Sequence, residues 1–364
     1  MKRNTIITIA FIALLLLIIF IHNFYHNFKN KKCNNNSFTK EVIDKVNPII
    51  AIISAPLGGT RKTDSSMRND KLFKARSYLP LSYVNWLQLA GAKVIVIDCF
   101  DNKENIENKL NYVNGCLFTG GEIDTVNDKD LKDYISTWKY VYNFSKSNNC
   151  PLWATCLGFE FLALMEQNEI EIFNIFRKGG ILTNVKGNRI SSKLIPYESF
   201  NETFKLDCSL LKQATENESL YYNHSFGYIL DVATKNAFEQ DKFDILSYNY
   251  DRDNVKYIGT IKKHGKEIYG TQWHPEKVIF EWKIEETLHN SISIRLAQEI
   301  SNFFIKKCNN YKPKKEFSTE QKKWLIYNYD LYSYSKIKTV FEQQKYFEML
   351  EENFDQFYLI IDYN

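Results

Sequence analysis

Four short apolar runs alternate with helix-patterned stretches through the first half of the chain, and this alternation restricts the fold more than any other feature. The runs are PIIAIIS (48–54), AKVIVID (92–98), GCLFTGG (115–121) and CPLWATC (150–156). PIIAIIS is a short, fully apolar run of the kind buried in parallel sheets, and the other three read as the strands that follow it. Between them, LPLSYVNWLQLAG (79–91) predicts a helix ending at Gly91, and KDLKDYISTWKYVYNFSK (129–146) repeats its apolar positions at helical spacing. Strands and helices in this order imply an α/β fold, a doubly wound and mostly parallel sheet with flanking helices. The second half changes character. VKYIGTIKKHGKEIYGTQWHPE (255–276) reads as a hairpin turning at His264-Gly265, with a loop after Gln272, and NSISIRLAQEISNFFIKKC (290–308) as a long amphipathic helix packed on the sheet. No repeat and no Pro/Gly-rich linker interrupts the chain, so one domain is expected over 48–350, with 351–364 as a tail.

At 364 residues, with 44% hydrophobic and 25% charged side chains, the chain can bury a sizeable core. A net charge of +4 without a basic, aromatic-laced stripe argues against nucleic-acid binding. Lys2 and Arg3 precede an uncharged run, Ile6 to Ile21. As a helix that run spans about 24 Å, short of a hydrocarbon core of roughly 30 Å. Residues 1–24 therefore read as a signal peptide or a signal anchor, cleavage being favoured, and 25–47 as a polar stalk. Five Asn-x-Ser/Thr acceptors (Asn35, Asn143, Asn201, Asn217, Asn223) fit a secretory route. The cysteines (Cys33, Cys99, Cys116, Cys150, Cys156, Cys208, Cys308) number seven, which leaves at least one thiol unpaired, and none shows metal-ligand spacing.

Cys156 lies between the fourth strand and a helix starting near Leu157, on a turn of small residues. That is the geometry of a nucleophile elbow, which lifts the sulfur over the carboxyl edge of the sheet. The new helix's free N–H groups point at the sulfur and are expected to lower its pKa, while Gly158 lets the helix pack close to the strand. Most cysteines are structural, but this turn favours a nucleophile. A thiol nucleophile needs a base. His22 and His26 fall in the targeting region, while His264 and His289 suit exposed structural roles. His274 follows a strand, is fixed by Pro275 and has Glu276 two residues on, giving a Cys–His–acid set.

CLGFE (156–160) with QWHPEK (272–277) resembles class I glutamine amidotransferase-type hydrolases, and among them the gamma-glutamyl hydrolase family. The resemblance extends through SYVNWLQLAGAKVIVI, LFTGGEID, YYNHSFG and FEW to EQKKWLIYNYDLYS near the C-terminus. It implies Cys156 as nucleophile, His274 as base and Glu276 as orienting acid. Glu160 stands near the glutamyl group, and His224 at the active site. Gly120, Gly121 and Leu157 are expected to present backbone N–H groups to the oxyanion. The sequence departs from the family at Ala154, where glycine is usual, and at Asn223-His224-Ser225, a glycosylation acceptor inside the proposed site that is expected to stay unmodified.

The implied reaction is cysteine hydrolysis of γ-glutamyl amide bonds, most simply of folylpoly-γ-glutamates, in a vacuolar, lysosomal or secreted setting. No metal and no organic cofactor is expected. The partner is the small-molecule substrate, the membrane enters only through an uncleaved N-terminus, and a homodimer is left open. Arg61, Lys62 and Arg76, in a loop above the sheet, are the candidate cations for the substrate α-carboxylates. The rivals are a glutaminase or γ-glutamyl-amine hydrolase of the same superfamily, and an inactive membrane-tethered binding protein.

Overall fold

The computed structural model describes residues 47–58, 75–333, 350 and 352–361. The signal segment, most of the stalk, Arg61 and Lys62 lie outside the described residues. Among those described, no helix is long and apolar enough to cross a membrane.

In chain order the strands are β1 (Ile49–Ile53), β2 (Ala55–Pro56), β3 (Ala75–Pro80), β4 (Lys93–Ile97), β5 (Gly115–Phe118), β6 (Leu152–Thr155) and β7 (Thr183–Lys193). They continue with β8 (Ile195–Pro196), β9 (Glu218–Gly227), β10 (Phe243–Tyr250), β11 (Lys256–Lys263), β12 (Ile268–Thr271), β13 (Leu331–Tyr332) and β14 (Phe357–Ile361). The central sheet runs β4-β1-β5-β6-β12-β11-β10-β8. Its first five members pair in parallel, and the last three turn antiparallel at one edge. The four runs read from the sequence are β1, β4, β5 and β6, and the expected hairpin is β11–β12.

Two-sided burial explains why those runs are apolar throughout. Side chains alternate across a strand, and on β1 Ile49, Ala51 and Ile53 enter one core cluster while Ile50 and Ile52 enter the other. The first cluster is closed by the helices Lys103–Leu110, Asp128–Asn148 and Leu157–Leu164, the second by Leu81–Leu89 and Ser291–Asn309. Helices on both faces make the sheet doubly wound. The asparagine-rich composition finds structural use at helix starts: the side chains of Asn102, Asn127, Asn168 and Asn290 each accept a backbone N–H as N-caps. Such a cap is worth about 1 kcal/mol.

Two smaller sheets were not evident in the sequence. β7 pairs with β9 as an arm, and β13-β14-β3-β2 forms a second layer. The described part of the segment expected to be a terminal tail joins that layer, β14 pairing antiparallel with β3.

Candidate active site

β6 ends at Thr155, and Cys156 follows with φ 53° and ψ −112°, a conformation that side chains rarely adopt. Strain of this kind is held only where neighbours over-determine it. Here Cys156 N donates to Thr271 O at 2.8 Å, and the helix Leu157–Leu164 starts at once, with Glu160 N donating to Cys156 O at 2.9 Å. Close packing of that helix requires Gly158: a Cβ there would lie 2.7 Å from the Phe118 carbonyl oxygen. Ala154 has ordinary strand backbone in β6, so the missing glycine carries no conformational cost.

The parallel pairing of β6 with β12 puts Thr155 opposite Thr271, so the loop leaving β12 emerges beside the elbow. It delivers His274, whose N–H donates to Tyr221 O on β9 at 2.9 Å. His274 Nδ1 meets Glu276 Oε1 at 2.7 Å, and both side chains are buried. With Nδ1 committed to the carboxylate, Nε2 is left without a partner among the described residues. The two key side chains sit close together, since a Cβ added at Gly120 would lie 3.2 Å from both Cys156 Cβ and His274 Cε1. The Cys156 thiol contacts the Asn223 carbonyl at 3.5 Å.

Burial overturns the expected depression of the thiol. Desolvation, and then the Glu160 charge, push the Cys156 pKa up, and Lys277 and the Leu157 amide offset this only in part. Burial likewise lowers the His274 pKa, against the pull of Glu276. The resting pair is thus a neutral thiol beside a neutral imidazole.

Gly120 corrects a second expectation. Its N–H donates to Tyr83 Oη at 2.7 Å and is not offered to an oxyanion. Gly121 and Leu157 do line the cavity above the sulfur, a space of about 980 Å³. Glu160 and His224 line it as well. Burial raises the Glu160 carboxyl to about 8 although Gln272 Nε2 donates to it at 3.0 Å, so near neutral pH it is largely the protonated acid. His224 donates through Nδ1 to Phe226 O at 2.7 Å, and burial pulls its pKa down to about 4. The neutral ring at that acceptor must carry its proton on Nδ1, leaving buried Nε2 as an acceptor without a partner among the described residues. Gly187 on β7 makes room for this ring, since a Cβ would fall 2.5 Å from Nε2.

Arg76 does not reach the cavity; it pairs with Asp130 at 3.1 Å and stacks over Phe100. The cations on the cavity wall are Arg177, Lys178, Arg189 and Lys277. Lys277 sits in the HPEK motif yet escaped the sequence reading. Its ammonium, buried over the Phe354 ring, donates to Asn353 O at 2.7 Å. Glu352, Asn353 and Phe354 complete the wall from the segment leading into β14, and no local pattern announces that role. Asn223, the glycosylation acceptor, is partly buried and donates through Nδ2 to Asn353 Oδ1 at 2.7 Å. Among the described residues no His, Cys, Asp and Glu side chains converge as a metal site.

A strand-to-helix elbow bearing cysteine, beside a His–Glu pair from the next strand, defines a cysteine-type amidotransferase or hydrolase site. The family model "Glutamine amidotransferase class-I" matches residues 81–288, and the chain belongs to that family. Its relatives include "Probable gamma-glutamyl hydrolase 3" of Arabidopsis thaliana, 29% identical over 292 residues, a match covering 78% of each chain. The gamma-glutamyl hydrolase of Homo sapiens is 29% identical over 263 residues, covering 70% of this chain and 78% of that one. Gamma-glutamyl hydrolase B of Dictyostelium discoideum is 26% identical over 299 residues, covering 80% and 81%. These relatives carry the name to which CLGFE and QWHPEK pointed.

Proposed function

We propose that the protein hydrolyses γ-glutamyl amide bonds, with folylpoly-γ-glutamates as substrates, through a thioester on Cys156. His274 Nε2 takes the thiol proton as the sulfur attacks the γ-carbonyl carbon. The oxyanion is held by the Gly121 and Leu157 amides. As the tetrahedral intermediate collapses, the C–N bond breaks and His274 passes its proton to the leaving amine. Water, deprotonated in turn by His274, then opens the thioester to release the γ-carboxylate and restore the thiol. Glu276 holds the imidazole at Nδ1 and balances its charge while it is protonated.

One observation carries this reading: Nδ1 of His274 is bound to Glu276 while Nε2 is left unpartnered beside the elbow cysteine. Cavity size supports a long substrate over free glutamine, because about 980 Å³ is at the upper end for drug-sized ligands. Lys178 and Lys277 supply positive charge for the repeated α-carboxylates of a polyglutamate, while Arg177 is paired with Asp128 and Arg189 with Glu286 and Glu352. The experiment is incubation of purified protein with folate pentaglutamate, resolving products by chain length, with glutamine and γ-glutamyl amines in parallel. Turnover of glutamine without shortening of the polyglutamate would replace this proposal by the glutaminase reading. Inertness toward all three would favour the binding protein.

The setting proposed is the secretory pathway, ending in a vacuole, lysosome or the exterior. The N-terminal pattern supports it. N-terminal sequencing of protein from its native host tests it: a start in the low twenties marks a cleaved signal, and an intact Met1 in an alkali-resistant membrane fraction marks an anchor.

A further inference from the structure

Tyr83 lies on the helix Leu81–Leu89, 1% exposed and outside the cavity wall, so it does not touch substrate. A phenol carries one proton and accepting lone pairs. Gly120 N–H occupies the oxygen from one side at 2.7 Å. The hydroxyl is buried, and the charged forms of Glu276 and Cys156 both act on it electrostatically. Glu276 has one oxygen on His274 and a second, Oε2, that is buried and without a hydrogen-bond partner among the described residues. Tyr83 Oη, Cys156 Cβ and His274 Cε1 gather around Gly120, within 2.8, 3.2 and 3.2 Å of the point a Cβ there would occupy, which sets the hydroxyl in the same cluster as the His274–Glu276 pair. Leaving both a buried donor and a buried carboxylate oxygen unmet is costly, and each is what the other lacks.

From this juxtaposition we propose that Tyr83 is a positioning residue for the reaction: its hydroxyl, anchored by the Gly120 amide, donates to Glu276 Oε2. A relay then runs from Gly120 N–H through the Tyr83 O–H to Glu276 and His274. It ties the glycine turn after β5 to the carboxylate, fixes the carboxylate plane and so aims the imidazole. It also gives the Gly120 amide a use other than the oxyanion. This inference rests on the proposed roles of Cys156, His274 and Glu276, but not on the identity of the substrate.

The competing account is that Tyr83 only fills the core between the sheet and the helix Ser291–Asn309, where a phenyl ring would serve equally. Tyr83→Phe separates the two, with thermal unfolding run first to establish that the variant is folded. The relay predicts a fall in kcat of about tenfold or more, the scale of a hydrogen bond to a charged group, with KM held within about twofold. It also predicts that the pH midpoint for alkylation of Cys156 by iodoacetamide moves to lower pH. A carboxylate relieved of its donor holds the imidazolium more strongly, and the thiol then gives up its proton more readily. Unchanged kcat together with an unchanged alkylation profile would overturn the proposal. A second measurement leaves Tyr83 in place: proton NMR of the wild type should show a slowly exchanging, downfield hydroxyl proton that shifts or vanishes in Glu276→Gln. Its absence, or its indifference to Glu276→Gln, would also overturn the relay. The alkylation arm needs no substrate, so a wild type that cleaves no γ-glutamyl bond would sink the proposed function and leave this test standing.

Discussion

Replacing Glu160 by glutamine should change how stability depends on pH, by an amount that follows from burial. The carboxyl is shut away beneath the elbow, and desolvation raises its pKa from 4.5 to about 8. A carboxyl whose folded pKa lies above its unfolded value stabilises the fold fully below the unfolded pKa, and that contribution is lost as pH rises through the folded pKa. At about 1.4 kcal/mol for each factor of ten, the window from 4.5 to about 8 sets a ceiling of about 5 kcal/mol. Glutamine is nearly isosteric and cannot ionise, so Glu160→Gln should abolish this slope. Urea unfolding of both proteins at about pH 5 and about pH 8.5 measures the difference, in which titrations common to both, such as that of Glu281, cancel. We expect the wild type to lose at least ~2 kcal/mol relative to Glu160→Gln across that range. A difference that stays constant with pH would refute the protonated, desolvated carboxyl. The same variant should lose kcat/KM on polyglutamates, because Glu160 lines the cavity. A Glu160→Gln enzyme, or a wild type, that prefers free glutamine would count against the proposed substrate.

Cys156→Ala should abolish hydrolysis while leaving the fold nearly intact, since alanine inherits the same backbone and removes one buried atom; substantial turnover in the assay above would exclude a thioester. His274→Ala should cost roughly 10²–10⁴-fold in kcat, and Glu276→Ala less, so a larger loss at Glu276 in matched kinetics would reverse the two roles. In Gly158→Ala the new methyl group meets the Phe118 carbonyl at 2.7 Å, a backbone group that cannot swing away. Overpacking of this kind costs roughly 1–3 kcal/mol, or about 2–4 °C of Tm for each kcal/mol. An unchanged Tm would show that the helix does not depend on this close approach.

Legibility in the sequence tracked how local the governing physics was. The parallel core was readable because burial on both faces leaves strands apolar throughout, as in Ile49–Ile53. The elbow and the His–Glu pair were readable because neighbouring residues in the chain create them. β7 was not readable: its sequence TNVKGNRISSK is polar, and its burial alternates only over Asn184–Asn188, where the two buried positions are Val185 and Gly187, because the strand is an arm shaped by β9 and by the His224 ring. The cavity wall at Glu352–Phe354 escaped for a related reason. Its place depends on β14 pairing with β3, residues separated by most of the chain. Gly120 misled because its turn and its neighbourhood matched an oxyanion site, while the hydroxyl that claims its amide comes from a helix nearly forty residues earlier. The thiol's pKa misled because a helix terminus is a local feature and desolvation is not.

The parallel pairing of β6 with β12 has an evolutionary consequence. Cys156 and His274, the proposed nucleophile and base, follow adjacent strands whose ends are paired, Thr155 opposite Thr271, so the two chain segments are held together by a backbone ladder with a spacing of about 4.8 Å. Much of the enclosing wall comes instead from β7, from Glu352–Phe354 and from the helix Glu169–Lys178, none of which belongs to that ladder. Substitutions, insertions or exchanges in the wall can therefore retune which γ-glutamyl compound is admitted while the reacting atoms keep their spacing. Descendants of such a chain can drift in diet without having to reinvent their chemistry.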